Sequence, residues 1–139
     1  MKLLFLDDDA HRHWLVQKIL GSTWDVIHVN GALPFETALR VEDDIDVVMM
    51  DYELGEYVGT LEASLSKSKG LLSGKDAAKA LVQLFIGKPK KPRIIIHARR
   101  SWGVELMERI FKATGYIVKV HQFDLYSSYS SSKELLSQT

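Results

Sequence analysis

The chain has no cysteine, so neither a disulfide framework nor a thiolate metal site is open to it. That absence suits a cytoplasmic protein, the location expected here. No excess of either charge exists: 18 Lys and Arg balance 18 Asp and Glu. A global field that would draw the protein onto duplex nucleic acid or anionic lipid is therefore missing. No apolar run is long enough to span a membrane. The apolar start Leu3–Leu6 is too short for a secretory signal and runs straight into Asp7, Asp8 and Asp9. Partners must be recognised locally. With 139 residues of ordinary globular composition, the chain is expected to form one domain with its own core.

What is present is an alternation of apolar strands and amphipathic helices. Residues 2–7 read as a first strand. Asp9 is placed to cap a helix over 10–20, in which Leu15/Ile19 and Val16/Leu20 recur at helical spacing and Gly21 is placed to stop it. Trp24 to Val29 reads as a second strand interrupted by polar Asp25 and His28. A short helix over 34–40 follows, with Pro34 in its first turn. Val47-Val48-Met49-Met50, fenced by acids, reads as a third strand buried on both faces and running over 45–51. Residues 56–73 break the pattern as a long insertion rich in Gly, Ser and Lys. Ser73-x-x-Asp76 then has the form of a capping box, opening a helix with Ala78, Leu81, Val82 and Phe85 on one face. A fourth strand spans 93–98 around three isoleucines, a helix covers 103–114 up to Gly115, and a fifth strand covers 116–123. A Ser-rich tail, 126–139, follows the domain proper, which is expected to occupy 1–125.

Five strands alternating with helices imply a three-layer α/β fold, a parallel sheet with helices on both faces. Strands one, three and four are purely apolar in their middles, as central strands should be, whereas two and five carry polar residues and read as edges. That distribution predicts the flavodoxin-like order 2-1-3-4-5, whose ligand crevice lies at the carboxyl ends of strands one and three. Asp7, Asp8 and Asp51 end those strands. Three carboxylates in one crevice repel one another unless something positive sits among them, and a hard divalent cation, Mg²⁺ (or Mn²⁺), suits them. His97, Arg99 and Arg100 at the end of strand four, with Lys119 in strand five, are candidate donors to phosphate oxygens. Acids for a metal on one side and cations for an anion on the other form a layout for phosphate chemistry.

These residues resemble the receiver domain of response regulators over nearly the whole chain. Leu6-Asp7-Asp8-Asp9 is similar to the acid pair after its first strand. Met50-Asp51 is similar to the phosphoacceptor segment, and Gly115-Tyr116-Ile117-Val118-Lys119 to the segment with the switch aromatic and the lysine. The resemblance implies metal ligation by Asp8 and Asp51 side chains, the Glu53 carbonyl, and Asp7 through water. It departs where His97 replaces a hydroxyl residue, where Val120 replaces a proline, in the insertion, and in the short tail. Asp51-x-Glu53-Leu54-Gly55, Gly74-x-Asp76 and Ile96-His97 followed by Gly103-Val104-x-x-Met107 are similar to an offshoot, the cyclic-phosphate processing receivers. That family usually carries other residues where Tyr52, Glu53, Ala98 and Arg100 stand here.

The offshoot implies a metal-dependent phosphodiesterase or phosphohydrolase acting on a cyclic nucleotide or an RNA end, with Asp51, His97 and Lys119 as the catalytic set. The ordinary receiver implies a switch in which Asp51 is phosphorylated and Tyr116 responds. A phosphate-binding module without turnover is the third reading. Several other features are expected to be bland. His11 and His13 point to different sides of a helix and read as solvated. Arg12, close to the end of the first strand, could reach an anion but reads first as a surface residue, and Lys88 to Arg93 reads as a loop at the far end of the sheet. Gly70-x-x-x-Gly74-Lys75 fails as a phosphate loop in spacing and in its last residue. Lys67 and Lys69 could fold over a bound phosphate if the insertion is a lid. Trp102 could stack on a base or pack under its helix.

Overall fold

The computed structural model describes residues 1–52, 74–98 and 100–121. The expected insertion 56–73 and tail 126–139, and with them Glu53, Lys67, Lys69, Ser73 and Arg99, lie outside the described residues. The described chain runs β1 (Lys2–Leu6), α1 (Ala10–Leu20), β2 (Asp25–Val29), α2 (Ala32–Val41), β3 (Val47–Met50), α3 (Gly74–Leu84), β4 (Arg93–Ile96), α4 (Trp102–Ala113) and β5 (Val118–Val120). All strand pairs are parallel and the order is β2-β1-β3-β4-β5, the order expected from strand polarity. The reason is visible in the burial. All four residues of β3 are buried, whereas β2 and β5 hold exposed positions and can face water at an edge.

Alternation along the central strands divides the core into two layers. Leu4, Leu6, Val48, Met50, Ile94 and Ile96 pack against α2, α3 and α4 through Phe35, Leu39, Leu81, Met107 and Phe111. Leu3, Phe5, Val47, Met49 and Ile95 face the other way and pack on Val16, Ile19 and Leu20 of α1. Each of these buried side chains contributes roughly 1.5–3 kcal/mol of transfer free energy.

Local chemistry places the ends of the elements. The Asp9 carboxylate accepts from the His11 and Arg12 amides and caps α1, as its position predicted. Ser101 caps α4 by accepting from Val104 N–H at 3.2 Å. Gly115, at φ +87°, turns the chain back after α4 in a conformation that disfavours any side chain. The turn lets Tyr116 N–H reach the Phe111 carbonyl at 3.0 Å. Trp102 does not pack under α4; it is 74% exposed. No described helix is long and apolar enough to cross a membrane.

Candidate metal and phosphate site

Register assembles the site. Leu6 pairs with Met50, Met50 with Ile96 and Ile96 with Val120. The parallel ladder then runs one residue further: Asp51 N–H donates to Leu6 O, His97 N–H to Met50 O and His121 N–H to Ile96 O. Asp7, Asp51, His97 and His121 therefore stand at one level, at the carboxyl ends of the four strands, on the face that carries Phe5 and Met49.

Asp7, Asp8 and Asp51 each offer a carboxylate oxygen, and these oxygens lie within 4.8 Å of one another. Asp7 is fully buried. Its Oδ1 accepts from Asp9 N–H at 2.8 Å. Asp51 Oδ1 accepts from Tyr52 N–H at 2.7 Å. Glycines press the neighbouring helices onto this corner. A Cβ on Gly74 would collide with the Asp51 carbonyl oxygen, and one on Gly103 with the Tyr52 ring. Gly74 N–H donates to Tyr52 O at 2.8 Å, tying the start of α3 to the end of β3.

The positive charge among the acids comes from Arg12, which had been expected at the surface. Its Nε lies 2.8 Å from Asp7 Oδ2 and 3.8 Å from Asp9 Oδ2. Its Nη2 lies 3.6 Å from Asp51 Oδ2 and 3.9 Å from Asp8 Oδ1. The close Nε–Oδ2 approach is poorly aligned, and both atoms are buried without a hydrogen-bond partner among the described residues. Burial pushes the Asp7 carboxyl up to about 7, although Asp9 N–H and Arg12 favour its charged form. Arg12 is held above its ordinary value: burial opposes its charge, but Asp7, Asp51 and Asp9 more than offset that.

His97 is wholly enclosed. Its Nε2 lies 3.2 Å from Leu6 O, and a carbonyl only accepts, so this nitrogen carries the proton. Nδ1 then presents a lone pair 3.5 Å from Asp7 Oδ2. The ring stacks on Phe5, with centroids 5.1 Å apart. Burial, followed by the Arg12 charge, depresses its pKa to about 3, so the imidazole is neutral at neutral pH. A proton on Asp7 and a lone pair on His97 are complementary. His97 faces Asp7 from within the core, and its own ring is closed to solvent.

His13 is also displaced from its expected solvated position. Its Nε2 meets Asp7 O at 2.7 Å and its Nδ1 meets His28 Nδ1 at 2.8 Å. His28 Nε2 in turn meets Gln17 Oε1 at 2.8 Å. A signal for Arg12 and His13 was present in the sequence. The inward stripe Val16, Ile19 and Leu20, extended one turn toward the helix start, reaches both. Beside them a cleft of about 370 Å³ opens, lined by Asp8, Ala10, His13, His28, Val29 and Asn30. That volume lies at the small end of the range for ligand pockets.

The expected cations behave differently. Lys119 pairs with Ile95, one residue short of the Ile96–Val120 level and two short of His97 and His121, and it is exposed. Arg100 is exposed at the start of α4 with Nη1 3.3 Å from Glu108 Oε1. Arg99 and Glu53 lie outside the described residues. Tyr116 precedes His121 by five residues, so the register places it just before β5, roughly 17 Å below the crevice level. Its ring is buried against Phe111, with Lys91 Nζ 5.1 Å from the ring centroid. Burial raises its hydroxyl pKa.

No protein-family model matches the chain, and no curated protein does. Solved structures do. A response regulator receiver protein from Pseudomonas putida superimposes with TM-score 0.63 at 16% identity, over 99% of this chain and 96% of that one. At that identity the likeness is one of fold, the five-stranded parallel sheet in order 2-1-3-4-5. The fold is a receiver fold. A CheY-like response regulator receiver domain from Methanospirillum hungatei matches with TM-score 0.56 at 13% identity, over 99% of this chain and 94% of that one. A structure described as adenylate cyclase from Rhodopirellula baltica matches with TM-score 0.60 at 13% identity, over 99% and 98% of the two chains. Receiver-fold strand ends thus carry the candidate site here.

Proposed function

We propose that the carboxyl-end crevice is a divalent-metal site that processes a phosphate ester, a cyclic phosphate on a nucleotide or RNA end being the substrate class. One observation carries the reading: carboxylate oxygens from the ends of β1 and β3 converge within 4.8 Å. Oxygens bound to Mg²⁺ lie about 2.9 Å apart in adjacent positions and about 4.2 Å apart in opposite ones, so a small closure suffices. The donors are hard oxygens, and the buried Asp7 Oδ2 lacks a hydrogen bond among the described residues. Asp7, Asp8 and Asp51 would hold the ion, with Glu53 in the role the resemblance gives it. Bound there, Mg²⁺ or Mn²⁺ would polarise the phosphorus and offset charge developing on the phosphoryl oxygens.

The chain's own groups do the remaining work. Tyr52 N–H fixes Asp51 Oδ1, and Oδ2 faces Arg12 at 3.6 Å. Asp9 N–H fixes Asp7 in the same way. His97 Nδ1 backs Asp7 Oδ2 at 3.5 Å from within the core, so His97 is a positioning residue rather than a group that touches the ester. The Arg12 fork, 2.8 to 3.9 Å from the three acids, is a cation that can meet a phosphate beside them. The cleft beside Asp8 has room for the organic part of the ligand.

Hydrolysis of 2′,3′-cyclic nucleotides with Mg²⁺ or Mn²⁺ tests the proposal. Turnover should require the ion and fall at least ~100-fold in Asp51→Asn, because a metal-anchoring charge is lost. Absence of turnover in the unaltered chain would sink the catalytic reading. A second reading is favoured by the place of Asp51, at the end of β3 in a receiver fold. There Asp51 accepts a phosphoryl group, and acetyl phosphate with Mg²⁺ should add one phosphoryl mass to the intact chain and none to Asp51→Asn. Ligand binding without either outcome would identify a binding module.

A further inference from the structure

The acids that could hold a metal already hold a cation. Arg12 faces Asp7, Asp8 and Asp51 with separations of 2.8, 3.9 and 3.6 Å. These are the same three residues whose oxygens converge. A divalent ion about 2.1 Å from those oxygens would lie close to the guanidinium, with like charge and little solvent between them. Both cannot occupy the cluster at full strength.

Two further observations say which one yields. The Arg12 side chain is 26% exposed and stands on the rim, whereas Asp7 is sealed in the floor. The Arg12 arm therefore has a path outward. Its closest contact is also imperfect, since Nε and Asp7 Oδ2 are buried 2.8 Å apart without the alignment of a hydrogen bond. Charge holds it there more than directed bonding does.

We infer that Arg12 is a built-in counter-ion that competes with the divalent cation for Asp7, Asp8 and Asp51. Without the ion it keeps the three carboxylates together. With the ion bound it turns outward, where its fork can meet a phosphate. This inference rests on the metal-site reading proposed above.

Calorimetric titration with Mn²⁺, on the full chain and on Arg12→Gln, tests it, with electron paramagnetic resonance of free Mn²⁺ as a second readout. Removing the competing charge should tighten Mn²⁺ binding about tenfold or more, the worth of a charge-assisted contact. Inorganic phosphate binding to the Mn²⁺-saturated protein should weaken in the same variant. A structural role alone would not tighten metal binding. If Arg12→Gln loses its cooperative melt, Arg12→Met, which keeps an unbranched apolar side chain without the charge, is read in its place. Unchanged or weaker Mn²⁺ affinity in a folded variant overturns the competition and leaves the metal site standing. No Mn²⁺ binding by any of the proteins overturns both.

Discussion

The β1–β3 half of the crevice and the β4–β5 half are made from the same parallel ladder, yet among the described residues only the first converges on solvent-facing chemistry. At the ends of β1 and β3, acids meet within 4.8 Å around Arg12. At the ends of β4 and β5, His97 is sealed in the core and Lys119 is exposed below the crevice level. The difference teaches that a residue type at a strand end is only half of a site. The side chain's layer, and the element that closes over it, decide whether it meets a ligand. Helix α1 crosses the β1 end and delivers Arg12 and His13 to it, so the cation comes from the acid side.

The comparison is broken most strongly at the buttress of the acid half. Gly74→Ala should cost about 3 kcal/mol in a urea melt, because the added carbon meets the Asp51 backbone, which cannot yield. Gly103→Ala should cost less, roughly 1–2 kcal/mol, since it meets a Tyr52 ring that can turn. In Tyr52→Ala the Gly103 substitution should become nearly neutral, an interaction that a double-mutant cycle measures. Equal costs at both glycines would deny that the start of α3 is rigidly seated on Asp51.

A second test separates the two buried groups that join the halves. Asp7 is raised from 3.8 to about 7, so between those values the folded chain holds a proton that the unfolded chain releases. Its contribution to stability is complete below 3.8 and lost as pH rises toward 7. His97 is lowered from 6.5 to about 3, so in that window the unfolded chain binds the extra proton and stability rises with pH. Between about pH 4 and 6.5 the two slopes oppose. Relative to the unaltered protein, His97→Asn should gain stability on acidification from pH 7 to 4, by on the order of 2 kcal/mol. Asp7→Asn should show the opposite difference. Two variants with parallel difference curves would refute the pairing of these groups.

The smallest effect is expected at Lys119. Lys119→Ala should change stability by no more than about 0.5 kcal/mol, because the residue is exposed on an edge strand. Phosphate affinity measured by calorimetry should fall far less in Lys119→Ala than in Arg12→Gln. A larger loss at Lys119 would restore the β4–β5 half as the anion side.

Much of the architecture is legible in the sequence. Apolar continuity in β1, β3 and β4 against mixed polarity in β2 and β5 determined which strands take the centre, because a strand covered on both faces tolerates no polar side chain. Two-residue alternation and parallel order then placed Asp7, Asp8 and Asp51 at one end of the sheet. The Asp9 cap and the stop at the end of α1 follow from short-range hydrogen bonding, which sequence patterns record well. Arg12 and His13 were misread because a charged or polar residue near a helix start ordinarily points to water. Only an acidic floor beneath that turn makes the inward position favourable.

By itself, then, the sequence determined the parallel sheet, its order and the acids at its crevice, since these depend on periodicity and on the cost of burying polar groups. Tertiary structure alone decided the rest. It enclosed His97 and made it neutral, seated Arg12 among the acids, and set Lys119 below the crevice. It also gave Gly74 and Gly103 their packing roles. Those outcomes turn on register, close approach and desolvation, which are properties of groups brought together across dozens of residues and of the dry space between them.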